Sequence, residues 1–263
     1  LLLSLSACEM FTKTDKSPPK NSIPFVSMFN AVETTESGNG PFDAPVTGVP
    51  SGYRGFEGSY DYPKAPVKPK VYPWTKSLNG KPISTKTAEE YMTIVKNYIT
   101  EDMVVLLGDN RKVGGKVKWN AGERGWYNEP WMSTIRDGVH GAYVGSECFS
   151  PILFPKSGLK EPFSTYVLVF YNDIAARSLH KVWGKTAMSP TLDNNAAIYD
   201  EGSIIVKAAF TTATEQTWAP MANALPWDIY LPKIDCKTET PAKSPSLIPT
   251  RLFQFDIVVK DSK

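Results

Sequence analysis

Residues 204–210, Ile-Ile-Val-Lys-Ala-Ala-Phe, set the tightest limit on how this chain can fold. Side chains alternate across an extended strand, so Ile204, Val206, Ala208 and Phe210 share one face, and Ile205, Lys207 and Ala209 the other. Both faces are apolar, which predicts a strand covered on each side. A turn, Asp200-Glu201-Gly202-Ser203, leads into it. Lys207 is the exception, an amine bracketed by apolar neighbours. Either it snorkels to the sheet edge or pairs with an acid, or it sits in a pocket where desolvation lowers its pKa and frees a nucleophile.

Other segments carry their own periods. In Thr-Lys-Thr-Ala-Glu-Glu-Tyr-Met-Thr-Ile-Val-Lys-Asn-Tyr-Ile-Thr, Tyr91, Ile94, Val95, Tyr98 and Ile99 recur at helical spacing, and Thr87 with Glu90 reads as a capping box. The following Met-Val-Val-Leu-Leu-Gly is a short strand or a helix end. A strand is expected at about 166–171 and a helix at about 173–183, closed by Lys181 and Gly184, with one longer helix as the alternative. Trp-Asp-Ile-Tyr-Leu reads as a strand. In the last segment Phe253, Phe255, Ile257 and Val259 face one way and Gln254, Asp256 and Lys260 the other, the pattern of a half-buried antiparallel strand. Trp119, Trp126, Tyr127 and Trp131 form either a glycan-binding aromatic platform or core-edge packing around turns.

With 263 residues, 41% of them hydrophobic, the chain can bury a substantial core. Lys plus Arg (29) nearly balances Asp plus Glu (27), and no block of like charge could track a phosphate backbone, so nucleic acid is not an expected partner. The opening Leu-Leu-Leu-Ser-Leu-Ser-Ala-Cys resembles the end of a bacterial lipoprotein signal peptide, residues 1–8, which implies cleavage before Cys8, acylation of its sulfur and a membrane partner through the lipid. That implies a periplasmic or surface location in the cell envelope. Residues 9–70 are a Pro-, Ser- and Lys-rich tether and extended segment, whose later aromatics Tyr53, Phe56, Tyr60, Tyr62 and Tyr72 are expected to lie along the folded domain. In an oxidising compartment Cys148 and Cys236 are either a disulfide or two separate buried thiols.

The run Asp200-Glu201-Gly202-Ser203-Ile204-Ile205-Val206-Lys207 resembles the lysine-bearing strand of the cytochrome P-460 and cytochrome c′-beta family. Phe-Asp-Ile-Val-Val-Lys-Asp-Ser-Lys resembles that family's later strand, and Val-Leu-Val-Phe-Tyr-Asn-Asp-Ile-Ala-Ala-Arg-Ser-Leu-His-Lys-Val-Trp-Gly its preceding strand and helix. The resemblance covers residues 166–263 and implies an α+β fold, an antiparallel sheet with helices packed on it. It also implies a c-type haem, a redox partner protein, handling of small nitrogen species, and Lys207 as the residue that links to the porphyrin and serves catalysis. The family's Cys-x-x-Cys-His is absent from these 263 residues. Since the family places that motif after the last strand, residues 71–263 are expected to be a single domain incomplete at its C-terminus.

His140, beside two glycines, is expected in a turn, and His180 near a helix end. Asp137, Glu147 and Asp173 are lone acids without the paired spacing of a hydrolase. No nucleophile elbow, zinc-protease, P-loop or dinucleotide fingerprint occurs. Two functional expectations stand: an envelope-anchored c-type cytochrome, and a haem-free lipoprotein that binds a glycan or protein.

Overall fold

The computed structural model describes residues 56–65, 81–108, 119–130, 136–137, 139–183, 195–238 and 240–262, together with 50, 53, 72, 74, 76, 78, 190, 191 and 193. Cys8 and Trp131 lie outside the described residues, as do residues 1–49 of the expected tether. The fold is α+β: a curled antiparallel sheet with two helices packed on it.

Strand β5 (Phe163–Asn172) is buried at every one of its 10 residues. One of its edges carries β3 (Trp126–Asn128) at its C-terminal end and β4 (Tyr143–Phe149) along the rest, and the other edge carries β6 (Ile204–Thr211). Beyond β6 come β8 (Thr240–Val259) and then β7 (Pro226–Asp235), all antiparallel. A small parallel pair, β1 (Phe56–Glu57) with β2 (Trp119–Asn120), stands apart.

The curl brings β7 back against β4. Cys148 in β4 and Cys236 just after β7 are disulfide-bonded, so the bond fastens the two margins of the sheet to each other. On the inner side Tyr166, Leu168 and Phe170 of β5 meet Ile204, Val206, Ala208 and Phe210 of β6 and Trp227, Ile229 and Leu231 of β7. Helix α1 (Ala88–Leu106) covers this cluster with Tyr91, Val95, Ile99, Met103 and Leu106. The segment Met-Val-Val-Leu is therefore the last turn of α1, because Met103 and Leu106 continue the buried stripe while Val104 faces outward.

Helix α2 (Asp173–Trp183) follows β5 without a loop and lies on the sheet's opposite side. There Ala175, Ala176 and Leu179 pack on Val167, Val169, Tyr171 and Ala209. The junction is held by Asn172, whose Oδ1 accepts the backbone N–H groups of Ala175 (2.9 Å) and Ile204 (3.1 Å) and whose Nδ2 donates to Gly202 O (2.9 Å). Gly202 has φ of +87°, a conformation that glycine adopts without steric cost, and a Cβ there would stand 2.9 Å from the Tyr72 ring. Tyr53, Phe56, Tyr62 and Tyr72 are buried, so these aromatics of the extended segment do lie on the domain.

Two local expectations fail. Thr87 makes no side-chain cap; its Oγ1 instead accepts the Ser84 N–H at 2.9 Å, closing the turn before the helix. Phe253 does not share a face with Phe255, Ile257 and Val259. A register shift after the Ala209–Gln254 pair places Leu252 opposite Phe210, and Phe253 turns to the other side, against Phe163. The N-terminal half of β8 pairs with β7 alone, with Pro245 opposite Pro232.

Because the disulfide closes a span of 88 residues, loss of either cysteine is expected to cost roughly 2–4 kcal/mol. Urea unfolding of Cys148→Ser against the parent chain, each with and without reductant, checks this; equal midpoints under oxidising conditions would refute it.

Candidate functional site

A cavity of about 260 Å³ lies between α2 and the strand ends it covers, bounded by Glu129, Arg136, Tyr171, Leu179, Trp183 and Tyr199. Glu129 comes directly after β3, whose pairing with β5 sets Tyr127 opposite Tyr171. The carboxylate is gripped on both oxygens. Arg136 Nη2 is ion-paired with Glu129 Oε2, and the Tyr171 hydroxyl donates to Oε1 at 2.8 Å. The guanidinium also donates from Nη1 to Gly141 O (3.2 Å) and lies 4.4 Å from the centre of the Tyr143 ring.

The aromatic hydroxyls here stay protonated. Burial, then the charge of Glu129, pushes Tyr171 well above the ordinary tyrosine range, and burial followed by Glu129, with Arg136 opposing, raises Tyr143 to about 12. Tyr199 moves upward for the same first two reasons. Each Glu129 oxygen can accept a further hydrogen bond, so the site offers a fixed anionic acceptor within aromatic walls. Among the described lining residues Glu129 is the only carboxylate. Ser178 lines the cavity as well, but its hydroxyl donates to Ile198 O at 3.0 Å. Glu129 and the aromatic rings around it offer hydrogen-bond acceptance beside apolar faces.

The residues singled out from sequence stand elsewhere. Lys207 points to the α2 side of the sheet, directly across from Asp256 on β8, with Nζ 3.2 Å from Oδ2 and side chains 40% and 39% exposed. It is an ion pair in contact with water. Lys207 lines neither the 260 Å³ cavity nor an open cleft of about 680 Å³ beside Cys236. Trp126 is core, its indole N–H donating to Asp102 Oδ2 at 3.0 Å, and Tyr127 is half-buried beside Tyr62. The side chain of Trp119 lies outside the described residues, as does that of Glu147. Asp173 opens α2 and accepts the Ile174 N–H at 3.0 Å; His180 is half-buried in its last turns.

Asp137 and His140 form a separate buried knot. Asp137 Oδ1 accepts the N–H groups of Val139 (2.9 Å) and His140 (2.8 Å), and Oδ2 that of Ala142 (2.7 Å), so the acid builds its own turn. The His140 ring is caged by Tyr53, Phe56 and Trp227, with Nδ1 3.1 Å from the Tyr53 hydroxyl and Nε2 without a hydrogen-bond partner among the described residues. Tyr53 in turn accepts the Tyr230 N–H at 3.0 Å.

Compared with known proteins, the chain matches no family model, no curated relative and no solved structure.

Burial holds the His140 pKa below its ordinary value, with Asp137 partly opposing. A depressed histidine favours the folded state fully above the unfolded pKa of about 6.5 and progressively less as pH falls from there to the folded pKa. Stability is thus expected to fall by up to about 1.4 kcal/mol per pH unit within that window. Urea midpoints between neutral and mildly acid pH should show this slope in the parent chain and a shallower one in His140→Phe. By contrast, Lys207→Ala, which breaks a half-exposed pair, is expected to shift stability by less than about 1 kcal/mol in the same assay.

Proposed function

We propose that this protein is a haem-free binding module, exported and lipid-anchored at Cys8, that holds one sugar-like ring in the cavity between α2 and the ends of β3 and β5. The observation that carries the reading is the Glu129 carboxylate, fixed by Arg136 and Tyr171 and framed by Trp183 and Tyr199. A sugar presents C–H faces to aromatic rings and hydroxyl donors to a carboxylate, and this lining supplies both partners. A volume of about 260 Å³ suits a single ring better than a chain. The Cys148–Cys236 bond agrees with folding in an oxidising compartment, which supports the envelope location inferred from the leader-like opening.

The cytochrome reading rests on the order of short motifs around Lys207. It requires a Cys-x-x-Cys-His, which does not occur within these 263 residues, and a porphyrin beside an amine that pairs with Asp256. A Soret band that survives acid-acetone extraction of the protein purified from its native membranes would favour it over the haem-free reading.

The binding reading is tested by titrating the purified chain with a panel of monosaccharides and following line shifts by NMR. A saturable ligand is expected. Trp183→Ala should weaken its binding about tenfold and Glu129→Gln by a similar factor. Saturable binding unaffected by both substitutions would place the ligand elsewhere, and no binding across the panel would overturn the proposal.

A further inference from the structure

The loop joining β4 to β5 presents apolar groups to water where a soluble surface would place polar ones. Its tip is a 3-10 turn, Pro151–Leu153, in which Ile152 is 85% exposed, Leu153 62% and the next residue, Phe154, 42%. Three consecutive large apolar side chains on a protruding turn are not an ordinary scatter of surface hydrophobics.

The backbone donors of the tip are met within the loop. The Ile152 N–H donates to Ser150 Oγ (3.3 Å), Leu153 N–H to Ser150 O (3.0 Å) and Phe154 N–H to Pro151 O (3.0 Å). Pro151 and Pro155 have no N–H to satisfy. From 151 to 155, therefore, no backbone donor is left to be desolvated at a cost if the tip leaves water. The tip is also braced from below. Phe154 packs 5.9 Å from Phe149, Phe149 lies 5.3 Å from Phe163, and Phe163 stacks on Trp218 at 5.7 Å. The Trp218 indole N–H donates to Ser157 O at 3.1 Å, which ties the returning arm of the loop to this stem. Two exposed cations, Lys156 and Lys160, stand on that arm, with Glu161 after them.

We propose that the Ile152-Leu153-Phe154 tip inserts into the interfacial zone of an anionic lipid bilayer, with Lys156 and Lys160 against the headgroup phosphates. A convex, braced apolar tip whose backbone donors are already bonded, with flanking amines, fits a bilayer surface, where hydrophobic insertion and phosphate attraction act together. A protein partner would have to bring a matching pocket. This surface is independent of the α2 cavity and of any ligand held there.

The test uses the full chain carrying Cys8→Ser, so that no acyl chain contributes. Sedimentation is measured with phosphatidylcholine vesicles and with mixed phosphatidylcholine–phosphatidylglycerol vesicles. Binding to the mixed vesicles is expected, and the Ile152→Ser/Leu153→Ser double variant should lower partitioning about tenfold or more. Lys156→Glu/Lys160→Glu should weaken binding to the anionic vesicles and abolish its salt dependence. Leu153→Trp should add emission that brominated lipids quench beyond the parent's. Ile152, Leu153, Lys156 and Lys160 are all exposed, so their substitution should leave thermal midpoints near that of the Cys8→Ser chain. Equal partitioning of the double serine variant, or unquenched Trp emission, would overturn the proposal. So would self-association without vesicles that the serine substitutions abolish, which would assign the tip to a second copy of this chain.

Discussion

The structure depends on a strand that has no solvent face. At every position of β5 the side chain is removed from water, and both edges are paired. A strand placed so must carry a layer on each side, and the chain supplies α1 with the curled far half of the sheet on one, and α2 with Tyr62 on the other. Alternation then assigns roles. Tyr166, Leu168 and Phe170 fill the interior of the curl, while Val167, Val169 and Tyr171 receive α2. Tyr171, last on its side, forms a wall of the cavity beneath the later turns of α2, and its hydroxyl there fixes Glu129. The cavity is thus a product of where β5 ends and how directly α2 begins.

Much of this was legible in the residues. The doubly apolar run of β6 announced an inner strand, the stripe from Tyr91 to Ile99 announced α1, and the change from β-branched residues to helix formers near Asn172 marked the junction of β5 with α2. What escaped was set by pairing. One extra residue near Phe253 reverses that side chain's face, and no local period records such a bulge. For Lys207 pairing with an acid was among the expected outcomes, but the acid itself, Asp256, is placed opposite it by register from almost fifty residues further along the chain. The candidate site escaped for the same reason. Glu129, Arg136, Tyr171, Trp183 and Tyr199 are scattered over the sequence, and only the β3–β5 register and the direction of α2 gather them.

Charge is placed with corresponding economy. Asp137 lies inside the protein with three backbone N–H groups on its carboxylate, so it serves as a template for the turn that sets His140. His140 meets an aromatic wall contributed by Tyr53, Phe56 and Trp227, residues from distant parts of the chain. The Tyr53 hydroxyl joins this knot to the backbone of β7. A segment that composition marks as extended is thereby fastened across the curl by one phenol.

The prolines of β8 bear on how the molecule behaves in a crowd. Pro232 and Pro245, facing each other, have no N–H to exchange, so they can form only a non-bonded rung; Pro249, on the same alternate set, meets Asp228. On that set any N–H would project away from β7, toward the margin that β6 has already vacated. Proline there leaves gaps in the row of donors an incoming strand would need. The longest strand of the fold is, along half its length, a poor template for fibril growth or for strand exchange between molecules.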